Sequence, residues 1–139
     1  MSDAGNIKTV QGIYEAYGRG DVQSILDQCA EDVRWEHHST GNTAQDQDVP
    51  YMRSRGGRNA VAGFFQDMEE NYEVHSFNPH SFLAGDGRVA GMVEFDLTVK
   101  ATGKRIHDEE IHLVEFGRDG KVTAFRHFLD TAKTIQAHA

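Results

Sequence analysis

The sequence predicts an α+β fold, with helices in the first half of the chain and an antiparallel meander in the second. Apolar residues recur three or four apart through residues 6–17 and 58–72, which is the spacing of amphipathic helices. From residue 77 onward the period changes to two, the period of half-buried strands. Such segregation of helices and strands favours helices that cover one face of a curved sheet.

The helical half contains two further elements and one long connection. Asp21 is placed to cap a second helix, whose apolar spacing reaches Cys29 and predicts a core position for that cysteine. Residues 33–37 alternate as a short strand. Residues 39–57 are polar and rich in turn formers, so we expect a long loop there, with a lid over a site in residues 39–55.

Four strands are expected in the second half, because apolar and polar residues alternate there and Gly-containing turns separate the runs. Val93, Phe95 and Leu97 form the apolar face of the second strand, so this face should line the interior. The four expected strands cover residues 77–83, 89–99, 105–116 and 122–129.

Length and composition restrict the class of protein. A chain of 139 residues fits one domain, residues 1–139, with one core or enclosed pocket. Its 22 acidic and 14 basic residues give a net charge of −8, which argues against nucleic acid and anionic membranes as partners. The single cysteine cannot form an internal disulfide, and no apolar run reaches the roughly 18 residues of a membrane span. We therefore expect a cytoplasmic protein without a secretory signal.

Three segments resemble the SnoaL-like polyketide cyclases, and together they span nearly the whole chain. They are Ala-Glu-Asp-Val-Arg-Trp at 30–35, Gly-Arg-Asn-Ala-Val at 57–61, and the stretch 120–132 that closes the sheet. The resemblance implies the nuclear transport factor 2-like, or ketosteroid-isomerase-like, superfamily. Its cone-shaped fold packs about three N-terminal-half helices against a strongly curved, mixed or antiparallel sheet around one deep pocket. It also implies a homodimer.

The closing strand departs from that of the epoxide hydrolases in the same superfamily. Their strand reads Trp-Arg-Asp-Tyr-Phe-Asp with a catalytic first Asp, whereas residues 125–130 here read Phe-Arg-His-Phe-Leu-Asp. His127 therefore occupies the position of the catalytic carboxylate. Those enzymes carry an Arg and an Asp on a neighbouring strand, where this chain has Val93 and Phe95. Epoxide hydrolysis by that set of residues is not expected.

Strand parity places polar side chains inside the predicted pocket, because alternate residues of a strand share a face. The inward set on the 105–116 strand is Asp108, Glu110, His112 and Val114, and His127 faces inward on the last strand. A one-residue bulge would reverse this parity.

The first strand adds His37, although His38 beside it offers the alternative face. Imidazoles and a carboxylate inside an apolar bowl are suited to proton transfer near neutral pH. The candidate catalytic residues are His37, Glu110, His112 and His127.

Aromatic and aliphatic side chains around this cluster are candidates for ligand contact. Either Tyr14 or Tyr17 resembles the hydrogen-bonding helix tyrosine of ketosteroid isomerases, yet aromatic residues at helical spacing are more often core. Tyr51 lies in the predicted lid. The complete set is Trp35, Phe125, Tyr14, Tyr51, Val93, Phe95 and Phe64.

Other charged residues carry two interpretations each. Arg53, Arg55 and Arg58 suit either an anionic group of a ligand or ion pairs with Asp46 and Asp48.

Asp130 suits a catalytic role or, more simply, the N-cap of a final helix. The histidines with a carboxylate would suit zinc or iron, but no compact His-x-x-x-His spacing occurs, so no metal is predicted.

Two functional hypotheses follow. The first is an isomerase, cyclase or lyase such as a dehydratase, without a cofactor because no nucleotide motif occurs, acting on a small apolar oxygenated molecule of polyketide or steroid type. His127 would remove a proton, and His112, supported by Glu110, would return it or stabilise the enolate. The second is a ligand-binding or protein-interaction module that retains the pocket without chemistry.

Overall fold

The computed structural model describes residues 2–35 and 43–139, and it confirms the predicted α+β class. The helices are α1 (Asp3–Gly18), α2 (Val22–Asp27), α3 (Thr43–Asp46), α4 (Arg58–Asn71) and α5 (Thr131–His138), with a 3-10 turn at Pro50–Met52. The strands are β1 (Cys29–Trp35), β2 (Arg55–Gly56), β3 (Tyr72–Gly85), β4 (Arg88–Val99), β5 (Arg105–Phe116) and β6 (Val122–Phe128).

The helix ends follow from local capping. Ser2 accepts a hydrogen bond from the backbone N–H of Gly5 and begins α1. Asp21 accepts one from Ser24 at 3.1 Å, so the predicted cap of α2 is confirmed. Asp130 accepts one from Lys133 at 3.1 Å, which makes it the N-cap of α5. The N-cap interpretation of Asp130 is therefore confirmed.

The six strands form one mixed, open sheet in the order β2-β1-β6-β5-β4-β3. The β1–β6 pair is parallel, and every other neighbouring pair is antiparallel. Helix α1 packs on β3 and β4, and α4 packs on β1 and β3. One face of the sheet therefore lies against helices, and the space between the two layers holds the core and the site.

Burial along β4 confirms the predicted parity. Val93, Phe95 and Leu97 are buried, together with Val89 and Val99 on the same face. The same alternation buries Glu110, His112 and Val114 on β5.

Two boundaries differ from the predictions because they depend on partners distant in sequence. β1 begins at Cys29 rather than at residue 33, since Cys29 pairs with Val122 of β6. Cys29 is buried as expected. β3 begins at Tyr72 rather than at residue 77, and two irregularities in its pairing with β4 obscure the alternation that a sequence pattern needs.

The described part of the predicted loop is more ordered than expected. It contains α3, the 3-10 turn and β2, and its apolar residues Val49, Tyr51 and Met52 are buried. The expectation of one long loop is therefore corrected for residues 43–57, because Arg55 and Gly56 pair with β1 and the buried side chains anchor the segment. As for membranes, the described residues include no helix with the length and apolar character that a crossing requires.

Candidate active site

A cavity of about 70 Å³ lies between the sheet and the helices α1 and α4. Its wall is almost entirely apolar, and Glu110, His112 and His127 are the titratable groups on it besides tyrosines. The aromatic lining consists of Tyr14, Tyr17, Trp35, Tyr51, Phe64, Phe65, Phe77, Phe95 and Phe125.

The three polar residues come together through strand geometry. Glu110 and His112 are two residues apart on β5 and therefore share a face. His127 on β6 is the direct register partner of His112, and the two imidazole centroids are 4.8 Å apart. One nitrogen of each imidazole and one carboxylate oxygen all lie within 4.8 Å of one another. The predicted convergence of Glu110, His112 and His127 is thus present.

A hydrogen-bonded chain links α1 to this cluster. The hydroxyl of Tyr14 lies 2.9 Å from Nδ1 of His112, and Nε2 of His112 lies 2.6 Å from Oε1 of Glu110. An ionised carboxylate only accepts hydrogen bonds, so the neutral imidazole donates from Nε2 and accepts from the tyrosine at Nδ1. Both ring nitrogens of His112 are therefore engaged by protein groups.

Burial and mutual charge determine the ionisation of the pair. Burial lowers the pKa of His112 below its usual value, although Glu110 opposes this. Burial alone would raise the pKa of Glu110, but the two imidazoles together hold it below the usual value. The cluster near neutral pH therefore contains an ionised Glu110 and a neutral His112.

His127 lies among aromatic rings at the cavity wall. It is 6% exposed, and its ring centroid is 5.0 Å from that of Phe125, 5.9 Å from that of Phe64 and 6.4 Å from that of Tyr51. Glu110 interacts electrostatically with this imidazole.

Trp35 and Phe125 line the cavity as predicted, but they also stack on each other. They are register partners on β1 and β6, and their rings lie 4.0 Å apart with planes inclined by 8°. The indole N–H of Trp35 is buried and has no hydrogen-bond partner among the described residues.

The remaining candidates for ligand contact divide into two groups. Tyr14, Tyr51, Phe64 and Phe95 lie on the cavity wall. Val93 is fully buried as the register partner of Glu110 and is not among the residues that line the cavity. Its contact with a ligand stays a prediction.

Two predictions concern positions near the cluster. His37 and the alternative His38 lie outside the described residues. Asp108 is half-buried and lies 3.5 Å from Nζ of Lys133, so it forms an ion pair with α5.

The three arginines in and just after the predicted lid make contacts within the protein. Arg53 pairs with Asp48 at 2.9 Å, Arg55 pairs with Asp67 at 2.5 Å, and Arg58 donates twice to the backbone oxygen of Cys29. The ion-pair interpretation is confirmed for Arg53.

Sequence reasoning missed one position that shapes the site. A Cβ on Gly91 would lie 2.5 Å from the hydroxyl oxygen of Tyr14. Gly91 is also the register partner of His112. The sequence does contain a signal for this position: a glycine among the apolar residues of the inward strand face indicates that another group approaches the backbone closely there.

Comparison with known proteins gives the fold class and the family. The mixed sheet and the helices on one of its faces are those of the nuclear transport factor 2-like class. The SnoaL-like domain matches residues 10–125, so the chain belongs to the SnoaL-like family. Comparison with curated proteins finds no significant match.

Three solved structures illustrate the likeness. An NTF2-like protein from Burkholderia xenovorans is 27% identical over 100% of this chain and 99% of its own, with a TM-score of 0.82. A provisionally named SnoaL-like polyketide cyclase from Mesorhizobium loti is 25% identical over 92% and 99%, with a TM-score of 0.68. TerC, crystallised with polyporic acid, is 17% identical over 96% and 97%, with a TM-score of 0.75, and shows the fold alone.

Proposed function

We propose that this protein catalyses proton transfer at a carbon next to a carbonyl group of a small, mostly apolar molecule, as an isomerase, cyclase or lyase does. The observation that carries the proposal is the buried cluster of Glu110, His112 and His127, whose donor atoms lie within 4.8 Å of one another on a cavity wall that is otherwise apolar and aromatic. Apolar pockets with a few convergent polar groups are typical of small-molecule sites.

His127 is the base in this proposal. The C–H bond next to the carbonyl breaks, its electron pair passes into the enolate, and the proton goes to the imidazole. Glu110 then stabilises the imidazolium, because its negative charge lies close by in a medium of low polarity. Return of the proton to another carbon of the enolate completes an isomerisation. In a cyclisation the enolate carbon instead forms a bond to a second carbonyl carbon of the same molecule, the π electrons of that carbonyl pass to its oxygen, and the imidazolium gives its proton to this oxygen.

His112 has a positioning role. Because its nitrogens are engaged by Tyr14 and Glu110, it holds the carboxylate in place and keeps Glu110 ionised. This differs from the expectation that His112 itself returns a proton to the substrate.

The lining supports an aromatic or alicyclic carbonyl compound as the substrate class. Nine aromatic side chains surround the cavity. The polyporic acid crystallised with TerC is consistent with an aromatic, oxygenated ligand for this fold. The volume of about 70 Å³ favours small members of this class.

Deuterium exchange tests the proposal. Cyclohexanone, 1-indanone and 2-tetralone are incubated with the protein in deuterium oxide, and NMR follows loss of the signals next to the carbonyl. We expect catalysed exchange of at least one ketone, and His127→Ala should reduce it about 10²- to 10⁴-fold, the usual contribution of a general base. Ligand affinity should stay within about tenfold, or roughly 1.4 kcal/mol.

His107→Ala is the matched control, because His107 is an exposed histidine of β5 that contacts Glu94. It should leave the exchange rate unchanged. Saturable ketone binding without exchange in the wild-type protein would contradict the proposal and support the alternative, a ligand-binding module of the same fold.

A further inference from the structure

We propose that Glu110, His112 and His127 also form a binding site for one divalent transition-metal ion of the zinc class, and that the ion blocks the proton transfer proposed above. The metal site uses the same three residues as the proposed reaction, but metal binding can be measured without any reaction. The blocking effect of the bound ion rests on the proposed function.

The donor set suits such an ion. Two imidazoles and one carboxylate are ligands that zinc accepts, and three protein ligands leave one position for water or another group. All three donors come from adjacent strands of one rigid sheet, and their ligand atoms already lie within 4.8 Å of one another. The distance of 2.6 Å between Nε2 of His112 and Oε1 of Glu110 has to increase only slightly when an ion replaces the proton between these atoms.

The surroundings of Glu110 favour a cation. Its side chain is buried in a cavity wall that is otherwise almost entirely apolar. A buried carboxylate without a full countercharge is costly, and a divalent ion bound beside it supplies that charge.

Tyr14 completes the arrangement from outside the ligand set. Its hydroxyl lies 2.9 Å from Nδ1 of His112, so it can orient the ring while Nε2 binds the ion. Metal-binding histidines usually have such a partner on the second nitrogen. The adjoining cavity of about 70 Å³ has room for a water molecule in the open position.

The ion would inhibit the proposed reaction. His127 cannot accept a proton while its nitrogen binds a metal, and Glu110 cannot stabilise an imidazolium while it binds the same ion. Catalysed exchange should therefore fall with zinc occupancy and return after addition of EDTA.

Calorimetry and cobalt spectroscopy test the site on full-length, untagged protein that has been treated with EDTA and then freed of it. Zinc chloride should bind with one ion per chain, and cobalt chloride should produce the intense visible absorption of a four-coordinate ion, which zinc then removes. Glu110→Gln and His127→Gln should each abolish the cobalt spectrum, with circular dichroism confirming that the variants fold. Tyr14→Phe should weaken zinc binding about 10- to 100-fold.

The exposed pairs His80–Glu109 and His107–Glu94 provide the control, because each offers only two donors. The double variant His80→Gln/His107→Gln should bind zinc as the wild-type protein does. Loss of binding in this variant, or absence of one-to-one binding in the wild-type protein, would overturn the metal site and leave the proposed function intact. Metal binding with no ketone exchange in the metal-free protein would contradict the proposed function instead, and zinc that stimulates exchange would overturn the blocking effect.

Discussion

At the scale of single residues, Gly91 allows α1 and the sheet to meet at the site. Its missing side chain leaves the space that the Tyr14 hydroxyl occupies when it reaches His112. Any larger residue would compete with that hydroxyl for the same position. One glycine thus connects the packing of α1 to the orientation of the imidazole and, through it, of Glu110.

Replacement of Gly91 by alanine should therefore destabilise the protein. The added Cβ would lie 2.5 Å from the Tyr14 oxygen, and overpacking of this kind costs about 1–3 kcal/mol. Urea unfolding measures the change. Gly12→Ala is the control, because a Cβ at this exposed position of α1 meets nothing within 4 Å and should stabilise the helix by about 0.5–1 kcal/mol. An unchanged free energy of unfolding in the Gly91→Ala protein would mean that the Tyr14 hydroxyl does not need this space.

The buried pair also predicts how stability depends on pH. The pKa of His112 is lower in the folded protein than in the unfolded chain, so the unfolded chain binds more protons as pH falls below about 6.5. The pKa of Glu110 is also lowered, so its contribution is present above its ordinary value and is lost as pH falls through its folded value. Both effects reduce the free energy of unfolding in acid.

Urea titrations of metal-free protein at pH 7.5, 6.5 and 5.5 measure this dependence. The decrease in the free energy of unfolding between pH 6.5 and 5.5 should be smaller in His112→Gln than in the wild-type protein. His107→Gln, which alters an exposed histidine of the same strand, should retain the wild-type decrease. Equal decreases in all three proteins would show that His112 does not titrate as a buried group.

At the scale of elements, strand parity explains why much of the site could be predicted. Trp35, Glu110, His112 and His127 all face inward because period-two alternation is preserved on β1, β5 and β6 near the site. The bond from Tyr14 to His112 could not be predicted, since it joins residues 98 positions apart. The limits of β1 and β3 were missed for a similar reason: partner strands and irregular pairing determine them.

At the start of helix α5, substitutions of Asp130 distinguish an N-cap role of this carboxylate from a catalytic one. Asp130 caps the helix, whose buried Thr134 lies 3.3 Å from the hydroxyl of Tyr51. Asp130→Ala should lower stability by about 0.5–2 kcal/mol, whereas Asp130→Asn should nearly preserve it. Both variants should exchange ketone protons at the wild-type rate under conditions where they are folded. If the Asp130→Asn variant is folded but does not exchange ketone protons, the Asp130 carboxylate takes part in the proton transfer.

At the scale of the whole molecule, the outer face of the sheet is more apolar than the sequence pattern indicated. Register pairing brings together the outward side chains of four strands, and Leu83, Ile111 and Phe128 are 63%, 38% and 47% exposed. The alternation on β4 alone, which places Met92 outward beside Glu94 and Asp96, does not predict such a patch. The patch consists of Leu83, Ala90, Met92, Ile111, Leu113 and Phe128.

We propose that two copies of the chain pair through this patch, because exposed apolar surfaces of this kind mark interaction sites. Sedimentation should detect a dimer in the wild-type protein and a monomer in Phe128→Glu. Gln11→Glu makes the same change in charge on the exposed surface of α1, on the other side of the sheet, and should leave the dimer intact. A wild-type monomer at micromolar concentration would contradict this proposal.

The central claim is that the buried cluster transfers protons, and the most direct measurement is the rate of deuterium uptake by one responsive ketone in metal-free protein. Wild-type, His127→Gln and His107→Gln proteins are compared at equal concentration and folded fraction. The account predicts a rate about 10²- to 10⁴-fold lower for His127→Gln and a wild-type rate for His107→Gln. Equal rates in the wild-type and His127→Gln proteins would contradict it.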